Sequence, residues 1–256
     1  MNATATGYLR DILGRELVDG GMQSPLRQYE TGIEDICRRW AGRHLVEVYP
    51  TGAFEKGTAN RSGTAIDFLV SLSPAANYSM RDVYETLFVA LGDAGLEPAR
   101  RDVSIRVQLD GVGVDIVPAR RVALSVDDHV LFQRRTGKTL TTNLTQHVLD
   151  IIACGRRDEV RILKLWRDQQ GLDLPSFNLE LAVLAALRRR PPGGDLADNV
   201  WAVLGYLETL FAARSLLDPA NANNIASDQM TAAQKETVCE AARYTRAGRS
   251  WQEIVR

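Results

Sequence analysis

The chain has 256 residues, 45% hydrophobic and 25% charged, so it is long enough for one large globular domain or two lobes with separate cores. Its 31 Lys and Arg nearly balance 32 Asp and Glu, which excludes a general attraction to long polyanions; any nucleic-acid contact would be local. The three cysteines and three histidines lack zinc-ligand spacing, and no window is apolar enough for a signal peptide or a membrane span. We therefore expect reduced structural thiols, no zinc and a cytoplasmic location.

The first half of the chain alternates helical and strand patterns. Residues 1 to 43 are predicted to be helical, because apolar residues recur at three- and four-residue spacing from Leu26 to Trp40, and Ser24-Pro25 is a typical helix start. A tight hairpin turn is predicted at Asp110-Gly111. The other predicted elements are strands at 44–50, 65–72, 103–109 and 112–118 and a helix at 80–94.

The second half is predicted to be helical. After Pro118 the strand pattern stops, and the polar stretch 125–143 is predicted to be a connector. The predicted helices span 141–154, 157–170, 176–189, 195–214 and 231–247. This order predicts an α+β protein with a mixed-sheet lobe at 1–135, a helical lobe at 136–256 and a small-molecule site in the cleft between them.

The most informative stretch of the sequence runs from Gly52 to Asp67. It contains Gly52-Ala53-Phe54-Glu55-Lys56-Gly57-Thr58-Ala59, followed by Thr64-Ala65-Ile66-Asp67. This stretch resembles the signature of the nucleotidyltransferases of the DNA polymerase beta superfamily. In that family a Gly-Ser turn opens a short helix, and a strand carrying Asp-x-Asp follows. Alternate residues of a strand point to the same face, so two such carboxylates can share a pair of magnesium ions.

A third carboxylate in this family comes from a neighbouring strand, and Asp115 fits that place. It is a single acidic residue within the apolar strand Val114 to Pro118. An unpaired carboxylate would be costly there, and a metal ion would remove the cost. The alternative is an edge-strand Asp that faces water, but beside the first motif the metal interpretation is the better one.

Two positions depart from the family pattern. Ala53 replaces the Ser, which is a mild loss because backbone N–H groups at a helix start can still hold phosphate oxygens. Ala65 replaces the first Asp of Asp-x-Asp, which should weaken metal binding and misalign the attacking hydroxyl. Because the rest of the motif is intact, we interpret Ala65 as an engineered inactivating replacement. A natural protein that binds nucleotide without turnover is the alternative.

The second group of candidate residues lies in the helical half. Lys164 is surrounded by apolar neighbours, and Pro175-Ser176 opens the next helix. The ordinary interpretations are a lysine that extends to solvent and a helix cap. However, Lys-Leu-Trp followed by Leu-Pro-Ser-Phe-x-Leu-Glu resembles the helical lobe of oligoadenylate synthases and bacterial cyclic-oligonucleotide synthases. That resemblance implies that Lys164 and Ser176 hold the triphosphate and that Glu180 is a structural partner.

Two further stretches are given no catalytic role. Asp218-Pro219-Ala220-Asn221 resembles a loop of the same branch, but Asp, Pro and Asn all favour ordinary turns. The basic stretches 134–135 and 188–190 are interpreted as solvated charge.

The resemblance implies a template-independent transferase that converts nucleoside triphosphates, with ATP favoured, into a cyclic or linear oligonucleotide signal in phage defence. Gly52, Ala53, Lys56 and Thr64 would bind nucleotide, and Asp67 and Asp115 would bind two Mg²⁺ or Mn²⁺ ions. An effector protein that reads the product is an implied partner, and a membrane is not. The alternatives are a transferase acting on RNA, tRNA or protein and a regulatory protein that binds nucleotide without turnover.

Overall fold

The computed structural model describes residues 3–19, 24, 28–63, 65–248 and 250–256. The predicted site residue Thr64 and the predicted helix-start residues Pro25 and Leu26 lie outside this part of the chain. The chain divides into two compact units. One comprises 19–57 and 64–149, and the other comprises 1–18, 58–63 and 150–256. The sequence predicted a lobe boundary near residue 135. The compact units meet instead after residue 149, and the mainly helical unit also includes 1–18 and 58–63.

The first unit is a mixed sheet covered by helices. Its helices are α2 (Gln28–Ala41), α3 (Gly52–Lys56) and α4 (Met80–Asp93). Its strands are β1 (Leu45–Thr51), β2 (Ala65–Leu72), β3 (Ala99–Arg100), β4 (Ile105–Leu109), β5 (Val112–Arg121), β6 (His129–Gln133) and β7 (Lys138–Thr142). Among the described residues these strands form one sheet of order β1-β2-β5-β4-β3, with β6 paired to β5 and β7 to β6.

Strands β2 and β5 run parallel at the centre of this sheet, and the other pairs are antiparallel. Parallel neighbours need a long connection, which here contains α4 and the strands β3 and β4. One face of the sheet is apolar, and Ile66, Phe68 and Ile116 pack there against residues of α2 and α4. The other face carries a smaller cluster around Leu69 and Val117, which leaves the beginning of β2 to polar side chains on that face.

The prediction of a connector at 125–143 is wrong. This stretch forms β6 and β7, whose register pairs His129 with Thr142 and Gln133 with Lys138. The Thr-rich sequence of β7 hides strand alternation, because a strand near the edge of a sheet buries only part of its surface. β6 carries a short apolar run and is mostly buried, so its strand signal was overlooked. The strands at 65–72 and 112–118 and the helix at 80–94 are found close to their predicted bounds.

The second unit is mainly helical. Its described helices are α1 (Ala3–Arg15), the end of α5 (Leu144–Ala153), α6 (Arg157–Gln169), α7 (Ser176–Leu187), α8 (Leu196–Thr209), α9 (Ala232–Arg246) and α10 (Trp251–Ile254). They enclose a core in which Trp166, Leu179 and Leu204 are fully buried. A short hairpin of β8 (Leu217–Asp218) and β9 (Asn221–Ile225) interrupts the helices. In the part of the chain that is described, no helix is both long and apolar enough to span a membrane.

The cysteines are free thiols, and Cys37 and Cys239 are buried. Burial raises the pKa of all three, that of Cys37 to about 12 with help from the Glu34 carboxylate. A raised pKa suppresses the reactive thiolate, so these cysteines are suited to packing in the interior rather than to a role as nucleophiles.

His129 lies at the interior end of a polar network in the sheet unit. Its Nδ1 is 2.7 Å from the Asp127 carbonyl oxygen, which can only accept, so Nδ1 carries the proton. Its Nε2 is 2.9 Å from the Ser71 hydroxyl, which donates to it and accepts a hydrogen bond from Arg121. Burial is the main cause that lowers the pKa of His129, and the Asp127 carbonyl opposes it.

Replacing His129 by Asn should reduce the dependence of stability on pH. Because the pKa of His129 is lowered in the folded chain, the unfolded chain binds a proton first as the pH falls below about 6.5. The free energy of unfolding should therefore decrease below that pH in the original chain and less steeply in His129→Asn. Urea unfolding at pH 7.5, 6.5 and 5.5 measures this slope. His44→Asn, which keeps His129, is the control; equal slopes in both variants would contradict the assignment.

Candidate functional site

Two aspartates lie side by side at the beginning of the central parallel pair. The register aligns Asp67 of β2 with Asp115 of β5, and Ala65 with Gly113. Since alternate residues share a face, Asp67, Asp115 and the small side chain of Ala65 all lie on the face opposite the α2–α4 core. The structure thus brings together the three positions that the sequence proposed for the carboxylate set. Asp67 is half-buried and Asp115 is buried.

Gly52 holds the turn into α3 directly against Asp67. Thr51, the last residue of β1, is paired with Asp67, and Gly52 follows with φ of 65°. A Cβ atom built on Gly52 would lie 1.9 Å from the Asp67 Oδ2 atom. Glycine is therefore required both by the left-handed backbone and by the close approach of a carboxylate.

Two buried side chains, one in the middle of α3 and one at its end, anchor the rest of this helix. Phe54 is buried at 4% exposure, and Lys56 at the last position is buried at 7%. Gly57 ends the helix with φ of 67°. Ala53 lies in the first turn and is half-exposed, which is compatible with the backbone role predicted for it. The nucleotide-binding role of Lys56 stays a prediction.

Asp115 already has a cationic partner, which the sequence analysis missed. Arg106 of β4 donates from Nε to Asp115 Oδ1 over 3.0 Å and from Nη2 to Oδ2. This fork-to-fork pair satisfies both carboxylate oxygens, and the Ser104 hydroxyl donates to Oδ1 over 3.4 Å. The Asp115 carboxylate raises the pKa of Arg106 against the effect of burial, and Asp67 adds to it. The Asp115 carboxylate is therefore not unpaired, and its burial by itself gives no argument for a metal ion.

The sequence contained the signal for this pair. A two-residue turn at Asp110-Gly111 aligns Leu109 with Val112, and counting back along both strands aligns Arg106 with Asp115. The hairpin itself was predicted correctly, but its register was not used to search for the partner of the carboxylate.

The side chains around Asp67 and Asp115 do not form a two-metal set as they stand. Among the described residues no group of three or more His, Cys, Asp and Glu could hold a metal ion. Ala65 offers no ligand, and the oxygens of Asp115 are engaged by Arg106.

Lys164 and Glu180 form a buried ion pair within the helical unit. The Lys164 Nζ donates to Glu180 Oε1 and to the Thr58 hydroxyl, each over 2.9 Å. The two charged side chains are 6% and 2% exposed. The prediction that Glu180 is a structural partner agrees with this geometry. The phosphate role of Lys164 stays a prediction, because phosphate binding would require the lysine to share or change its partners.

Ser176 begins α7 but does not cap it. Pro175 occupies the cap position, and the Ser176 hydroxyl accepts a hydrogen bond of 2.8 Å from Arg167 Nη1. The same nitrogen donates to the Leu174 carbonyl. A guanidinium therefore lies beside the exposed serine, and sequence analysis did not single out this arginine. An anion at Ser176 would meet a positive charge as well as a hydroxyl.

The remaining sequence motifs are structural in the positions that are described. Asp218 is the buried centre of the β8–β9 turn, where it accepts from the Ala220 amide over 2.9 Å and from Asn224 Nδ2 over 3.1 Å. This is the turn interpretation of that motif. The basic residues at 134–135 and 188–190 are exposed, as expected for solvated charge.

Comparison with solved structures identifies the fold. CdnC of E. coli MS115-1, solved with ATP, has a TM-score of 0.74 and 20% identity over 94% of this chain and 90% of its own. The Elizabethkingia meningoseptica CdnE cyclic dinucleotide synthase, solved with GTP and Apcpp, has a TM-score of 0.67 and 15% identity over 96% and 99%. The Cid1 poly(U) polymerase has a TM-score of 0.65 and 12% identity over 94% and 92%.

The chain therefore shares the α+β fold of these solved structures, with one unit built on a mixed sheet and one that is mainly helical. No known protein family matches the sequence by its profile, and no curated protein matches it significantly. At these identities the structural likeness establishes the fold alone. Evidence for an activity comes from the geometry around Asp67 and Asp115.

Replacing Gly52 by Ala should damage this site. The new methyl group would overlap the Asp67 carboxylate, and alanine would be forced into a left-handed conformation. We therefore expect the free energy of unfolding to fall by at least about 3 kcal/mol. Thermal and urea unfolding measure this loss. Gly95→Ala is a matched control, because Gly95 has φ of 83° but no atom within 4 Å of its Cβ position. Equal losses in both variants would show that Asp67 does not press on Gly52.

Proposed function

We propose that the chain is a template-independent nucleotidyltransferase of the kind that makes cyclic or linear oligonucleotide signals from nucleoside triphosphates, carrying an inactivating Ala at position 65. The observation that supports this is the registered pair Asp67 and Asp115 beside the Gly52 turn, on a fold shared with proteins solved with ATP and GTP. ATP is the favoured substrate, and Mg²⁺ or Mn²⁺ is the metal of the competent form.

The residues of this chain divide the work of binding. Backbone N–H groups of Gly52 and Ala53 would hold phosphate oxygens next to Asp67, and Lys56 would add a positive charge. Lys164 and Ser176 would bind the end of the triphosphate, with Arg167 adding charge beside Ser176. When bound to a complete carboxylate set, the metal ions would activate the attacking hydroxyl and neutralise the leaving pyrophosphate.

The replacement at Ala65 would affect turnover of nucleotide more than its binding. A small apolar side chain stands where a carboxylate would complete the set, while Asp67 and Asp115 keep their alignment. The engineered and natural origins of Ala65 predict the same structure. Both give a chain that holds nucleotide and turns it over slowly or not at all, because positioning and electrostatic stabilisation of the reacting groups supply the rate in phosphoryl transfer.

The biological setting forms the outer part of the proposal. We place the enzyme in the cytoplasm, where nucleoside triphosphates are available. Its product would act through a separate effector protein in phage defence. An alternative transferase that extends RNA, tRNA or protein has a structural relative in the Cid1 poly(U) polymerase. The near-zero net charge gives that alternative no general attraction to RNA. A regulator without turnover is the second alternative, and Ala65 supports it.

Ala65→Asp should convert the chain into an active enzyme. With labelled nucleoside triphosphates and magnesium, we expect at least about 100-fold more product than from the original chain. Separation of the product by chromatography, with and without tRNA, measures the reaction. Ala65→Asn is the matched control, since it has nearly the same shape without the negative charge. Label that moves only to RNA or protein would favour the alternative transferase, and no product from any variant would favour the regulator.

Lys164 can be tested as a phosphate ligand apart from its structural role. Lys164→Met should remove the cation that pairs with the buried Glu180 carboxylate and cost about 3 kcal/mol of stability. The double variant Lys164→Met, Glu180→Gln should recover most of that stability because no buried charge remains. If Lys164 binds phosphate, the double variant is stable but binds ATP more weakly in a calorimetric titration. Full recovery of ATP binding would show that the lysine is structural only.

A further inference from the structure

The Arg106 guanidinium occupies the coordination positions of a carboxylate that the fold would use for a metal ion. It covers both oxygens of Asp115, which is 8% exposed, while its own side chain is 31% exposed. A Cβ atom built on Gly113 would lie 3.9 Å from both the Arg106 Nε and the Ala65 Cβ. Arg106, Asp115 and position 65 therefore share one patch of the sheet face.

The charge of this patch differs from that of an open metal site. Asp67 and Asp115 contribute two formal negative charges, and Arg106 cancels one of them. An arginine does not lose its proton in proteins, so a change of pH within the usual range cannot clear the carboxylate. A divalent cation would have to displace the guanidinium bodily, at the cost of the two charge-assisted hydrogen bonds that it makes.

The surroundings of Arg106 permit that displacement. A third of its side chain is in contact with solvent, and Gly113 beside it has no side chain to block a rotation. Asp67 already contributes to the attraction for the guanidinium. In a nucleotide complex, two oxygens of one phosphate group would offer the same bidentate geometry as the carboxylate that Arg106 leaves.

The geometry points to Arg106 as an internal competitor for divalent cations: it holds Asp115 in the metal-free chain, and metal binds only when it releases that carboxylate. This inference rests on the proposed function only for the identity of the ligand as a divalent cation. Arg106 is a positioning residue here, because it acts on the metal through Asp115. Its release would couple metal loading to the arrival of the negatively charged triphosphate.

The test uses Mn²⁺ alone as the probe, followed by electron paramagnetic resonance and by thermal unfolding. Arg106→Gln should bind Mn²⁺ about tenfold more tightly than the original chain, because the competing cation is removed. Its metal-free form should unfold at a lower temperature, and Mn²⁺ should restore more of that temperature than in the original chain. Arg100→Gln is the control, since it also removes an arginine that pairs with a carboxylate: Arg100 Nε and Nη2 both donate to Glu85 Oε2, over 3.2 and 2.7 Å.

Two additional variants keep the result interpretable. Arg106→Lys retains the charge without the planar fork, so its Mn²⁺ affinity should lie between those of the original chain and Arg106→Gln. Arg106→Gln combined with Asp115→Asn should lose the gain, which locates the metal at Asp115. An Mn²⁺ affinity of Arg106→Gln that is equal to or weaker than that of the original chain would overturn the inference, as would a gain that survives Asp115→Asn.

Failure of the inference and failure of the proposed function give different results. If Arg106→Gln gains Mn²⁺ affinity but no variant is stabilised by ATP with Mn²⁺, the competitor role stands and the nucleotide function is wrong. If ATP with Mn²⁺ stabilises every variant but the affinities for Mn²⁺ alone are equal, the nucleotide function stands and the competitor role is wrong.

Discussion

The parallel register of β2 and β5 is the constraint on which the rest of the site depends. It sets Asp67 beside Asp115 and Ala65 beside Gly113 on one face, while Ile66 and its neighbours fill the core on the other. A shift of one residue would turn a carboxylate into the apolar core, which is strongly disfavoured. The packing energy of the hydrophobic face thus fixes the position of the polar face. The Gly52 turn then adds the start of α3 against Asp67.

Charged side chains that are candidates for ligand binding are held by partners inside each unit. Asp115 pairs with Arg106 in the sheet unit, and Lys164 pairs with Glu180 in the helical unit. Breaking a buried pair is costly, so a ligand that recruits one member has to supply a replacement charge. A triphosphate with its metal ions carries both signs of charge. A ligand that recruits Asp115 or Lys164 would exchange a partner within that unit, rather than fill a position that is open beforehand.

The sequence predicted the parts of the fold that have strong local signals. Apolar runs located β2 and β5, and three- and four-residue spacing located α4, α6 and α7 within a few residues. The strands β6 and β7 were missed although they form a local hairpin, because β7 is polar and Thr-rich and the short apolar run in β6 was assigned to the connector. In the site, Asp67 and Asp115 were placed together from a resemblance, but Arg106 required the hairpin register. The hydrogen bond from Arg167 to Ser176 had no comparable signal, since it depends on how α6 and α7 pack.

The most direct test is a crystal structure of Ala65→Asp grown with Mn²⁺ and a non-hydrolysable ATP analogue, using anomalous scattering to locate the metal. The account predicts manganese peaks at the carboxylates of Asp67 and Asp115, the triphosphate next to Gly52, and the Arg106 side chain turned away from Asp115. Manganese and triphosphate bound elsewhere, with the Arg106–Asp115 pair intact, would contradict the assignment of this sheet face as the site of nucleotide chemistry.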